Sequence, residues 1–256
     1  MTPFSVSYVL LAFLGLLITQ EIFHRYARFS LWFFSIASII FFPCWILLIG
    51  VEDWFAWLKV LSVAIGIIVL SVLRTTNLGN TKWCQWIVYV FLVVNILEAI
   101  TKDVISGSIA NYLNAIAGFL LVATLSKIQT IHIDKKFKDL HWGSMTLSWI
   151  IGYTLWNWVF VYLNYGFQSS ILHIAVLESA LVVAFVDKER WLQARVFTLG
   201  TYFMMMHAVP HLDYRVFTGE YNESFGLMMA MLTFGLMLAY TAFFMRGSAP
   251  RKLKAI

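Results

Sequence analysis

Residues 83–103 read WCQWIVYVFLVVNILEAITKD, an apolar run that closes on a polar end. The run has about the length of an α-helix that crosses ~30 Å of hydrocarbon. At its polar end, Asn95, Glu98 and Lys102 are spaced i, i+3 and i+7, so they share one face of a helix. A carboxylate and an amide are costly against lipid, which predicts that this face points into a helix bundle or a water-filled cavity. Such groups either form a functional site or, with Glu98 paired to Lys102 or another buried donor, hold helices in register.

The composition of the whole chain indicates a membrane protein. Hydrophobic residues make up 61% of the 256 residues and charged residues 12%, against about 45–50% and 25% in soluble domains. We therefore predict an all-α, polytopic helical membrane protein in which residues 1–256 form a single integral membrane domain. The formal net charge of +5 arises in short loops and in the C-terminal tail. Because no aromatic-plus-basic motif accompanies it, we predict no nucleic-acid partner.

Nine apolar segments of about 17–24 residues are each long enough to span a bilayer. They cover residues 4–23, 31–51, 54–73, 83–101, 108–127, 143–165, 170–186, 194–214 and 224–245. Basic residues concentrate in alternate loops and in the tail, whereas the intervening loops carry few of them. The positive-inside rule then predicts about nine transmembrane helices in a bacterial cytoplasmic membrane, with the N-terminus outside and the C-terminus in the cytoplasm.

This topology gives each polar side chain within the segments a depth. Polar groups on five segments gather between the midplane and the outer surface. Buried amides and carboxylates at one depth should find one another or water, because each is costly alone in hydrocarbon. Gly118, on the same face as two asparagines, permits a close approach of two helices. We therefore predict one outward-opening cavity for a substrate or ion, lined by Asn95, Glu98, Asn111, Asn114, Tyr153, Trp156, Asn157 and Tyr162.

Two histidines are candidate metal ligands. His207 and His211 are four residues apart and would share a face of a regular helix. Pro210 interrupts that helix, and the glutamate of an H-E-x-x-H site is absent. The pair is therefore a weak metal candidate, and no metal is assigned. Motifs for nucleophilic catalysis and for phosphate binding are missing, and the sequence does not identify a cofactor.

Several pieces of the chain match a known pattern. They are Glu21; Trp54-Phe-Ala-Trp-Leu-Lys59; Asn95-Ile-Leu-Glu98 with Asp103; Asn111 and Asn114 with Ala117-Gly118; Trp149-Ile-Ile with Tyr153; Leu155-Trp-Asn157 with Tyr162; and Trp191-Leu-Gln193 with Arg195 and Thr198-Leu199. In these pieces the chain resembles the bacterial membrane-protein family catalogued as domain of unknown function 5692. The resemblance implies a polytopic membrane fold and brings no mechanism. His207, His211 and Glu178 fall outside the pattern.

Three functions follow as hypotheses. The first is a small-solute or ion transporter, or a related solute-binding membrane protein, in which Glu98 carries the charge and the asparagines orient the solute. The second is an intramembrane enzyme that acts on a lipid or lipid-linked substrate, with Glu98 as general acid or base assisted by His207 or His211. The third is a structural or assembly subunit whose polar residues hold helices together. The lipid bilayer is the expected partner in each case, and an oligomer is compatible with all three.

Overall fold

The computed structural model describes residues 3–208 and 219–248, so Pro210, His211 and the C-terminal tail lie outside the described residues. The helical fold class predicted from the sequence is confirmed. The described residues form eight α-helices and a two-stranded antiparallel hairpin. The helices are α1 (Pro3–Arg25), α2 (Ala27–Leu48), α3 (Trp54–Thr75), α4 (Lys82–Ser106), α5 (Ile109–Ala123), α6 (Leu147–Val186), α7 (Trp191–Met206) and α8 (Glu223–Ser248), and the strands are β1 (Ile131–Ile133) and β2 (Leu140–Trp142).

Six of these helices (α1, α2, α3, α4, α6 and α8) are long and apolar enough to cross a membrane. α5 is a shorter apolar helix. The outer helix α2 exposes large apolar side chains such as Trp32, Ile39 and Leu47, which would be unfavourable in water. The described residues form eight helices where nine segments were predicted, because most of segment 143–165 and all of segment 170–186 fall within the single element α6. The number of crossings and their direction therefore stay predictions.

α6 is broken at Gly166, whose backbone has φ 79° and ψ −174°. Glycine suits this position because a positive φ of this kind is strained for residues that carry a Cβ. Asn157 and His173 are 16 residues apart in sequence, yet Oδ1 of Asn157 lies 2.8 Å from Nε2 of His173. A continuous helix would separate them by roughly 24 Å along its axis. The two halves of α6, residues 147–165 and 167–186, therefore fold back against each other.

An aromatic stack lies at the centre of the bundle. The indole N–H of Trp149 donates to the carbonyl of Leu121 at 3.1 Å, and that of Trp156 donates to the carbonyl of Asn114 at 2.9 Å. These two bonds fasten the first half of α6 to α5 and satisfy both buried indoles. Tyr153 stacks on Trp149 and meets Trp191 of α7 edge-on.

The β-hairpin closes one end of the bundle, which we call the hairpin end; the Asp53 end, where α3 begins, is opposite. Partial burial alone would raise the pKa of Asp134 in the hairpin turn. The backbone N–H groups of Lys136, Phe137 and Asp139 nevertheless hold its pKa below the ordinary value, because they stabilise the charged carboxylate.

Arg74, at the end of α3, is 1% exposed and ties the hairpin to the helices. Its guanidinium donates to the carbonyls of Phe23 and His24 in α1 at 2.9 and 3.0 Å, and to that of Lys138 at 2.7 Å. It also lies 3.2 Å from the buried carboxylate of Asp139. The hairpin end is thus held by a charged but fully partnered network.

Candidate functional site

A buried ion pair joins α3 to α4. Nζ of Lys59 lies 2.7 Å from Oε2 of Glu98, and both side chains are less than a tenth exposed. The hydroxyl of Ser62 donates to the same carboxylate oxygen at 3.2 Å, and Nζ of Lys59 also donates to the carbonyl of Asn95 at 3.3 Å. Lys102, the partner suggested by helical spacing, instead has its Nζ 5.8 Å from the centre of the Phe55 ring. Glu98 is therefore neutralised from the neighbouring helix.

A second polar group lies where α7 packs on the two halves of α6. Nη2 of Arg195 donates to Oδ1 of Asn157 at 3.0 Å and lies 3.3 Å from Nε2 of His173. The same Asn157 oxygen lies 2.8 Å from that histidine nitrogen, which donates to it when the proton is on Nε2. All three side chains are buried. The fold-back of α6 brings Asn157 and His173 together in front of Arg195.

The positive charge of Arg195 is not balanced nearby. Arg195 is 4% exposed and forms no ion pair with a carboxylate among the residues that the structure describes. Within the same described set, its Nε and Nη1 atoms have no acceptor in good hydrogen-bonding geometry, although the hydroxyl of Tyr153 lies near the guanidinium. A buried charge without a counter-charge costs several kcal/mol, because desolvation is not repaid.

A cavity of about 200 Å³, the central cavity, lies between these groups. Its polar lining includes Lys59, Asn95, Asn157, His173 and Arg195, and Asp53 and His207 also line it. Its apolar lining consists mainly of aromatic and aliphatic side chains, among them Phe55, Phe160, Val161, Leu199 and Phe203. A smaller, largely apolar cavity of about 90 Å³ shares Asn95, Arg195 and Leu199 with it.

A separate carboxylate lies near the end of α4. Asp103 is fully buried and accepts hydrogen bonds from the side-chain amides of Asn111 at 2.8 Å, Asn114 at 2.7 Å and Asn164 at 2.6 Å. Ser108 caps α5 by accepting from the backbone N–H of Asn111, which helps to place the first of these amides. We call Asp103 and the three asparagines the Asp103 cluster. Its hydrogen bonds join α4, α5 and α6.

The residues predicted for one cavity are thus divided. Asn95 and Asn157 line the central cavity and Glu98 pairs with a residue that lines it, whereas Asn111 and Asn114 hold Asp103. Trp156 is linked to the Asp103 cluster through the Asn114 carbonyl, and Tyr153 lies beside Arg195. The hydroxyl of Tyr162 exchanges hydrogen bonds with the backbone of Asn222 at the start of α8.

Lys59, Arg195 and His173 are not among the cavity residues predicted from the sequence. All three are buried in the structure. For Lys59 the sequence does carry a signal, because a basic residue several positions inside an apolar run needs an interior partner.

Of the two metal candidates, the structure describes His207. Among the described residues, no group of three or more His, Cys, Asp or Glu side chains could hold a metal ion. His207 lines the central cavity, and His211 lies outside the described residues.

Comparison with known proteins gives one match. Residues 2–254, nearly the whole chain, match the family described as "Family of unknown function (DUF5692)". No curated protein and no solved structure matches the chain. The site must therefore be interpreted from its own geometry.

Proposed function

This chain belongs to DUF5692, a family of unknown function, and we propose that it is an integral membrane protein that binds a small solute or ion in the central cavity and carries it across the bilayer. The observation that carries the proposal is the set of buried ionic groups, Lys59 with Glu98 and Arg195 with Asn157, around a cavity of about 200 Å³. Charged side chains inside helices of spanning length usually mark the path of a substrate or ion, because they are too costly to keep otherwise.

The predicted topology gives the cavity a direction. Asp53 lies at the start of α3, which the positive-inside argument places at the outer surface of a bacterial cytoplasmic membrane. A solute would then enter from outside, past Asp53 and His207, and reach Lys59 and Arg195 below them.

The geometry gives less support to the enzymatic alternative. A general base needs a free lone pair within reach of its substrate. Glu98 is held by Lys59 and Ser62 and is not among the described residues that line the central cavity, and Asp103 is held by three amides away from it, so neither carboxylate is placed within reach of a substrate there. A structural role suits the Asp103 cluster, whose hydrogen bonds are made between helices, better than it suits the central cavity with its open volume.

A solute screen tests the proposal. Purified protein in lipid nanodiscs is heated with a panel of small anionic, neutral and cationic solutes, since a ligand that binds only the folded state raises the unfolding temperature. We expect at least one solute to stabilise the wild type and to be taken up by proteoliposomes. The Glu98→Gln variant should respond differently from the wild type, because Lys59 loses its counter-charge and the electrostatic potential in the cavity changes.

The matched control is Thr233→Val in α8. Thr233 is fully buried and donates only to the carbonyl of Met229 in its own helix. This variant should respond like the wild type. A panel in which no solute stabilises the wild type, or in which Glu98→Gln responds to every solute as the wild type does, would contradict the proposal and favour an assembly role.

A further inference from the structure

The inference concerns the charge of the solute and rests on the proposed function. We propose that the central cavity binds a small organic monoanion, with its carboxylate on the guanidinium of Arg195 and its apolar part against the aromatic wall.

One buried positive charge at the central cavity has no counter-charge among the described residues. Lys59 and Glu98 neutralise each other at 2.7 Å, so this pair leaves no net charge for a solute. Arg195 has no carboxylate partner among the described residues, and the acceptor groups beside it there, the amide of Asn157 and the hydroxyl of Tyr153, are neutral. Asp53 is exposed and caps α3 by accepting from the backbone N–H of Ala56. One buried positive charge therefore remains, and one negative charge on the solute would balance it.

The guanidinium of Arg195 also has unused hydrogen-bond donors. Two buried nitrogens of Arg195, Nε and Nη1, have no acceptor in good geometry within the described part of the chain. A guanidinium presents its donors as a planar fork that matches the two oxygens of a carboxylate. The cavity beside Arg195 has room for that group. Donors that are buried and unused cost free energy, and a bound carboxylate would recover it.

The size and the lining of the central cavity suit a small organic anion. A cavity of about 200 Å³ is larger than the roughly 150 Å³ apolar cavity that holds benzene. It is much larger than a halide needs. Phe55, Phe160 and Phe203 line it beside the polar groups, so part of its surface suits an apolar body. These features favour a short-chain or aromatic carboxylate over an inorganic anion.

Two sets of shape-matched probes test the inference: benzoate, benzamide and benzylamine, and butyrate, butyramide and butylamine. Binding is measured by thermal stabilisation and by calorimetry on the full chain in nanodiscs, in a buffer that contains neither chloride nor any organic carboxylate. We expect the carboxylate of at least one set to bind more tightly than its neutral and cationic counterparts. Added chloride should compete weakly.

Two variants assign the effect to Arg195. Arg195→Gln should weaken binding of the carboxylate roughly 10- to 100-fold, the range for loss of charge-assisted hydrogen bonds. Asn157→Asp would place a carboxylate next to Nη2 of Arg195, where the amide oxygen is now 3.0 Å away. This second variant should leave the fold at least as stable and abolish carboxylate binding, so it remains informative if Arg195→Gln does not fold.

The outcomes separate the two proposals. Preferred binding of the amides or amines would overturn the anion inference and leave the solute-binding function intact. Unchanged carboxylate binding by Asn157→Asp would overturn the inference as well, as would chloride binding that outcompetes both carboxylates. If none of the six probes binds, the anion inference is also overturned. The wider solute panel then tests the proposed function separately.

Discussion

Gly118 of α5 faces Ile100 of α4 so closely that a Cβ added to the glycine would lie 2.7 Å from Cγ1 of Ile100. The same Cβ would lie 3.1 Å from the Trp156 ring. Any side chain at position 118 would therefore push α4 and α6 away from α5. Because α4 and α5 lie this close, the side-chain amides of Asn111 and Asn114 on α5 reach Asp103 on α4.

Gly118→Ala should destabilise the protein by about 1–3 kcal/mol, the usual cost of overpacking a close contact. The measurement is the free energy of unfolding in mixed micelles. Ile100→Ala, which removes the clashing atom, should recover part of the loss in the double variant. Gly235→Ala is the matched control, because nothing lies within 4 Å of the Cβ it would add to α8. A Gly118→Ala variant as stable as this control would contradict the packing described for α4 and α5.

The ion pair of Lys59 and Glu98 predicts a strong coupling energy. Lys59→Met or Glu98→Leu alone should each cost about 3–5 kcal/mol, because one buried charge then remains unpaired. The double variant should cost less than either single one, since it leaves no uncompensated charge. A double-mutant cycle on unfolding free energies gives the coupling directly.

The exposed pair of Arg25 and Glu21, with Nε 2.8 Å from Oε1, serves as the comparison for that cycle. Its coupling should be below about 1 kcal/mol, as for other solvent-accessible pairs. Equal coupling energies for the two pairs would show that Lys59 and Glu98 are not desolvated.

The predicted topology can be tested without knowing the solute. Lys136 lies in the hairpin turn and Asn222 at the start of α8, and both are exposed. In a background without Cys44 and Cys84, single cysteines at these positions should react with an impermeant maleimide from opposite sides of the membrane. Asn222→Cys should label in intact cells, whereas Lys136→Cys should label only after the cells are opened. Labelling of both in intact cells would refute the orientation given by the positive-inside rule.

The helical architecture could be predicted because it follows from local signals. Apolar runs of spanning length and the loops between them are visible in the sequence, and the segment bounds agree with the helices to within a few residues for most elements. The helical phase of Asn95 and Glu98 can also be read locally, since both lie on one α4 face. The sequence also divides residues 143–165 from 170–186 by local signals. Gly166, where α6 is broken, lies between these two segments.

The partners of the buried charges could not be predicted in this way. Glu98 offers a candidate partner, Lys102, one turn away, yet the cation that reaches it is Lys59 on α3. That choice depends on how α3 and α4 pack, which periodicity does not determine. Asn157 and His173 meet only because α6 reverses at Gly166. Asn111 and Asn114 bind Asp103 rather than the central cavity, because only a short connection between α4 and α5 separates them from it.

The fold-back of α6 has a consequence for how the chain is made. On the proposed insertion into a bilayer, the first half of α6 alone would bring Asn157 into lipid without His173, and the second half alone would bring His173 there without Asn157. Delivered together as one hairpin, the two polar groups are already within contact distance before α7 is synthesised. Residues 147–186 are therefore suited to leave the translocation channel as a single unit, and Arg195 joins a site whose neutral half has been assembled in advance.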